Sequence, residues 1–142
     1  MLEIASEDDA LLADHRGPYD GILSTHALLH GTRTEIVARL ASLAARLAGG
    51  GYLFATFGSS ADPRCGAGIY VAGDGWAATE GDEAGVTHAY FDRPALDRLL
   101  AGFADVRVAS CNVAQVVGKW AHPSGVAHPS VHWFVEARRA QT

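Results

Sequence analysis

Two histidines stand four residues apart, His26 and His30, just after the apolar run Tyr19-Asp20-Gly21-Ile22-Leu23-Ser24. Histidine changes charge near neutral pH, so each is a candidate catalytic residue, able to take a proton as a general base. The same spacing raises a shared metal ion, with His88, His122, His128 and His132 elsewhere in the chain. A zinc centre needs three or four converging donors, and no H-E-x-x-H or Cys-His spacing is present, so the expectation is no metal. Cys65 and Cys111 are too few for a disulfide framework and have no metal-type spacing. They point to a reduced, cytoplasmic setting, with Cys65 a free thiol in a glycine-rich stretch.

Aromatic and polar side chains supply a second set of candidates. Thr56 and Phe57 end an apolar run, where they either face a ligand or pack the end of a strand. Tyr90, Trp76 and Trp120 either line an acceptor pocket or pin loops to the core. Gly73-Asp74-Gly75-Trp76-Ala77-Ala78 fits a G-x-G-x-x-A nucleotide-loop expression. Turn-like Thr79-Glu80-Gly81-Asp82 follows it, however, where such a loop needs a helix.

The elements that must position these residues are legible in outline. Tyr19–Ser24 reads as a buried strand. Ile36, Val37, Leu40, Leu43, Ala44 and Leu47 form the stripe of an amphipathic helix. A Thr32/Glu35 capping box opens it, and Gly49-Gly50-Gly51 is its expected stop. Tyr52–Phe57 is a second buried strand, completing a βαβ unit with parallel strands. Residues 58–88 are glycine-rich and read as a long functional loop, pinned by Ile69-Tyr70-Val71 and Trp76. Asp92 caps a further helix with Pro94 in its first turn; Leu96, Leu99, Leu100 and Phe103 form its buried stripe, and Gly102 its stop. Val106–Val113 and His132–Arg138 are the last strands. With no helix between them they are expected to pair antiparallel. The histidines His26 and His30 then fall at the carboxyl end of a parallel strand, the edge where open α/β sheets bind ligands.

Several stretches, taken in order, resemble the C-terminal part of a class I S-adenosylmethionine-dependent methyltransferase. Residues 19–30 look like the family's fourth strand and the loop after it. Leu47-Ala48-Gly49-Gly50-Gly51-Tyr52-Leu53 is similar to the L-x-P-G-G-x-L approach to the fifth strand. Tyr90-Phe91-Asp92-Arg93-Pro94-Ala95-Leu96 resembles the start of the helix before the sixth, and His132-Trp133-Phe134-Val135 the antiparallel seventh. The resemblance implies an α/β, partial Rossmann-like methyltransferase fold with parallel strands and a C-terminal antiparallel strand. It implies S-adenosylmethionine as cofactor, with Ser24, Thr25 and His26 near its methionine part. Leu2–Ser6 resembles the third strand, which sets Asp8, Asp9 and Ala10 beside the adenine. The small-molecule acceptor falls to Thr56, Phe57, Tyr90 and Trp120, with His26 or His30 as base and the 58–88 loop as cover. The family's glycine-rich loop after the first strand, and the acidic residue ending its second, have no counterpart in this sequence.

Composition narrows the partners. Eleven basic against 16 acidic residues give a net charge of −5, which argues against nucleic acid and anionic membrane. No apolar stretch reaches the ~18 residues of a membrane span, and the acidic start is unlike a signal peptide. The 142 residues, 49% hydrophobic, suit one packed domain over 1–142, read against the family as truncated. The alternative to an enzyme is a non-catalytic methyltransferase remnant. Its exposed Tyr19–Ser24 edge would pair with a second copy or a complementing chain, or be covered by Leu2–Ser6.

Overall fold

The computed structural model describes residues 16–112 and 130–141. The first apolar run becomes β1 (Tyr19–Ser24) and the amphipathic stripe becomes α1 (Arg33–Arg46). The capping box forms: Thr32 Oγ1 accepts the Glu35 N–H at 3.3 Å, and Glu35 Oε2 accepts the Thr32 N–H at 2.7 Å. Ile36, Leu40 and Leu43 are buried, but Val37 is 52% exposed. It lies on the rim of an open groove between the two helices instead of beneath α1.

The end of α1 differs from the expected glycine stop. The helix ends at Arg46, Leu47 is already extended, and β2 (Leu47–Ser59) starts there, so the three glycines lie inside the strand. Arg139 is the reason. Its Nη1 donates to the carbonyls of Ala44 (3.1 Å) and Ala45 (3.3 Å) and reaches that of Leu47. The carbonyls that a left-handed glycine helps to satisfy are met by a side chain. Gly51 has another use: a Cβ there would sit 2.9 Å from the Tyr19 carbonyl oxygen, so glycine lets β1 approach β2.

The stretch after β2 is more ordered than its composition implied. It contains β3 (Ile69–Val71), β4 (Gly75–Ala77) and β5 (Thr87–His88), a small antiparallel sheet. Strands of two or three residues are too short to show a period. The G-x-G-x-x-A segment spans the β3–β4 turn and β4, with no helix after it. That turn closes on the start of α1. Asp74 O accepts the Arg33 N–H at 3.1 Å and Gly73 O the Thr34 N–H at 3.2 Å, which satisfies two orphan donors of the helix.

β6 (Tyr90–Phe91), α2 (Arg93–Leu99), β7 (Phe103–Asn112) and β8 (Val131–Arg139) complete the described chain. Asp92 caps α2 by accepting the Ala95 N–H at 2.8 Å. α2 ends at Leu99, before Gly102. The main sheet runs β1-β2-β8-β7, with β6 beside the end of β2. β1 and β2 are parallel, and β8 is antiparallel to both β2 and β7. The terminal strand thus enters the slot between β2 and β7.

The core forms on one face of this sheet, where Ile36, Leu40, Leu96 and Leu100 pack with Leu53, Phe57 and Val135. On the other face Leu23, Tyr52 and Phe54 are 50, 39 and 44% exposed. Leu23 and Phe54 are direct cross-strand partners. Among the described residues β1 is an edge strand. No described helix is long and apolar enough to cross a membrane.

Candidate functional site

The carboxyl ends of β1 and β2 and the start of β8 meet at one edge of the sheet. His26 turns the chain there in a left-handed conformation, φ 57°, which non-glycine residues seldom adopt and which is enriched at functional positions. Its backbone N–H donates to Thr56 Oγ1 at 2.8 Å. Its ring lies 5.1 Å from that of His132 on β8.

A buried polar chain runs on from His132. Nε2 of His132 is 3.0 Å from Ser130 Oγ, which donates to Asp62 Oδ2 at 3.0 Å and accepts from Arg64 Nη2 at 2.8 Å. With the hydroxyl proton on Asp62, the serine oxygen accepts from His132 as well, which assigns the Nε2–H tautomer. Nδ1 of His132 then carries the lone pair, and it is buried without a hydrogen-bond partner. Burial first, and His26 second, push the His132 pKa down to about 4, so the ring is neutral at pH 7.

Asp62 is 2% exposed and also accepts the Val131 N–H at 2.8 Å. Burial alone would raise its pKa. The hydrogen bonds and charge of Arg64 outweigh that and hold the carboxyl below its ordinary value. Arg64 extends the chain to Glu83 Oε2 at 3.0 Å. Glu83 faces His30 Nε2 at 3.6 Å and His88 Nε2 at 3.3 Å. These polar contacts, His30 first and His88 second, hold its carboxyl well below the usual range. The His88–Glu83 pair is within ion-pair reach but not aligned as a hydrogen bond, because His88 Nε2 has no such partner.

The expected site residues divide accordingly. His26 and Thr56 touch. His30 is brought to His88, ring centroids 5.0 Å apart, and Tyr90 stacks on His88 at 6.4 Å. Burial pushes the Tyr90 phenol up to about 12. Ser24 is half-buried and Thr25 exposed at the end of β1. Phe57 corrects the expectation: it is fully buried, edge-on to Phe91, and belongs to the core because odd positions of β2 face the helices. Asp8, Asp9, Ala10 and Trp120 lie outside the described residues. Sequence reasoning missed Asp62, Arg64, Glu83 and Ser130, and it noted His88 and His132 without joining them to the site. The donors of His30, Glu83 and His88 lie within 4.8 Å of one another, a convergence that no local spacing announces.

Ser24, Thr25 and His26, the residues expected at the methionine end of S-adenosylmethionine, lie together at the described edge. No glycine-rich loop between a strand and a helix lies among the described residues to take the ribose. No family model and no curated protein matches the sequence. Among solved structures the chain is similar to a SAM-dependent methyltransferase from Methanosarcina mazei, with a TM-score of 0.58 at 13% identity. The match covers 90% of this chain and 62% of that one, so this chain spans under two thirds of its neighbour's length. At that identity the likeness is one of fold: this chain has a mixed α/β, partial Rossmann-like methyltransferase fold.

Proposed function

We propose that the protein acts in S-adenosylmethionine-dependent methyl transfer to an O, N or C nucleophile of a small molecule. One observation carries this reading. In a methyltransferase-like fold, His26, Thr56 and His132 converge at the strand edge where open α/β sheets bind ligands. When bound, the cofactor supplies a methyl group on a positively charged sulfur. Ser24 and Thr25 orient its methionine end. Thr56 fixes the backbone of His26, whose ring takes the acceptor proton. His30 is turned to Glu83, which leaves His26 the better placed base. Proximity and alignment supply most of the rate, with the 58–88 stretch as cover. Calorimetry with S-adenosylmethionine tests it. Saturable one-site binding, weakened in Thr25→Ala, is expected; no heat at millimolar ligand would sink catalysis by this chain alone.

The open sheet face favours a second reading, a non-catalytic remnant that pairs through this surface. Leu23, Tyr52 and Phe54 are exposed side by side next to the β1 edge.

A further inference from the structure

His30, Glu83 and His88 come from three different segments, and their backbones are tied together. His30 and His88 form an antiparallel bridge. The Gly31 N–H donates to Thr87 O at 2.7 Å, and the Ala89 N–H to Leu29 O at 2.8 Å. The two residues are therefore brought side by side by main chain. Both present Nε2 to the same carboxylate, His30 to Oε1 at 3.6 Å and His88 to Oε2 at 3.3 Å. Donors bound at about 2.0–2.2 Å around one tetrahedral or octahedral ion lie roughly 3.0–3.6 Å apart.

His88 supplies the second observation. It is 2% exposed, and its Nδ1 lies 3.1 Å from the Val86 carbonyl oxygen. A carbonyl only accepts, so Nδ1 carries a proton and Nε2 is the nitrogen left to face Glu83. That nitrogen is buried, faces a carboxylate oxygen at 3.3 Å and has no hydrogen-bond partner. A buried nitrogen and a carboxylate oxygen that face each other without a hydrogen bond are a donor pair that a shared cation satisfies. The supporting contacts also match those of metal ligands, whose other ring N–H is held by a carbonyl and whose carboxylates are themselves hydrogen-bonded. Val86 O holds His88 in this way, and Arg64 Nη1, at 3.0 Å, holds Glu83.

We infer that His30, Glu83 and His88 bind a divalent transition-metal ion of the zinc class. Two imidazoles and one carboxylate form a borderline N2O donor set, and three protein ligands leave an open position. His30 and Glu83 have side chains 29 and 40% exposed, so that position faces solvent. The inference stands apart from the methyl-transfer reading, since it needs neither cofactor nor acceptor.

The test is zinc titration of tag-free, chelator-treated protein by calorimetry, with cobalt as an optical probe. One equivalent should bind with submicromolar affinity and raise Tm. Cobalt should give the visible absorption of a four- or five-coordinate ion. His30→Ala and Glu83→Gln change partly exposed side chains, and each should weaken zinc at least about tenfold while keeping the far-ultraviolet dichroism of the parent. In nitrogen NMR, His88 Nε2 should shift on adding zinc. Three results would each overturn the site: no saturable binding, binding unchanged in both variants, or a folded protein whose His88 Nε2 carries a proton that zinc does not displace.

Discussion

His132 shows how burial sets the chemistry of a single group. Its ordinary pKa is 6.5, and in the folded protein it is about 4. The folded state resists protonation, so its full contribution is present above pH 6.5 and is lost as the pH falls toward 4. Over that window the loss is on the order of 3 kcal/mol for a ring this buried. Asp62, whose carboxyl is depressed, adds its own loss below its ordinary value of 3.8. Urea midpoints of the wild type should therefore fall from pH 6.5 to 4, and His132→Asn should flatten that segment of the profile; equal slopes in both would refute the assignment. Ser130→Ala removes the hydroxyl that joins His132 to Asp62. It leaves buried polar atoms unpaired, at a cost of about 1–3 kcal/mol in chemical denaturation.

At the scale of elements, the site depends on two contacts between short segments. A Cβ on Gly58 would lie 2.4 Å from the Ala89 carbonyl oxygen. Gly58→Ala should push β6 off β2, lowering stability by about 1–3 kcal/mol. It should also weaken zinc, since His88 precedes β6; unchanged urea midpoint and zinc affinity would show that the two strands do not need this approach. Thr32 caps α1 while the β3–β4 turn covers the same end. Thr32→Ala should cost about 1 kcal/mol of unfolding free energy, with amide exchange rising first in the opening turn of α1. The capping box of α1, the Asp92 cap of α2 and the buried stripes are visible in the sequence because each depends on residues within a few positions of one another.

At the scale of the molecule, one face of the sheet is covered by both helices and the other is open among the described residues. If the open face serves to pair chains, sedimentation velocity should give a concentration-dependent species larger than the monomer. Phe54→Glu, at a side chain 44% exposed, should then restore the monomer without unfolding it. A wild type that sediments as a monomer at all concentrations would remove the pairing reading and leave the enzyme reading untouched. The strand order follows from packing at this scale: α1 and α2 cover the same face, and β8 fills the slot between β2 and β7.

What the residues determine by themselves is local. Period 3.6 and a capping box place α1, an Asp cap and an early proline place α2, and a short apolar run after Gly17-Pro18 places β1. The βαβ order and the closing antiparallel pair follow from connection lengths. Tertiary structure decides what depends on distant partners. Arg139 ends α1 from 95 residues beyond Ala44, so the glycines were free to enter β2. Phe57 and Thr56 are adjacent in sequence and opposite in fate, because a strand sends successive side chains to opposite faces. Only folding decides which face meets the helices. The polar site is the extreme case. Asp62, Glu83 and His88 lie along the 58–88 stretch and His132 on β8, and their chemistry exists only where the turns of that stretch meet the start of β8.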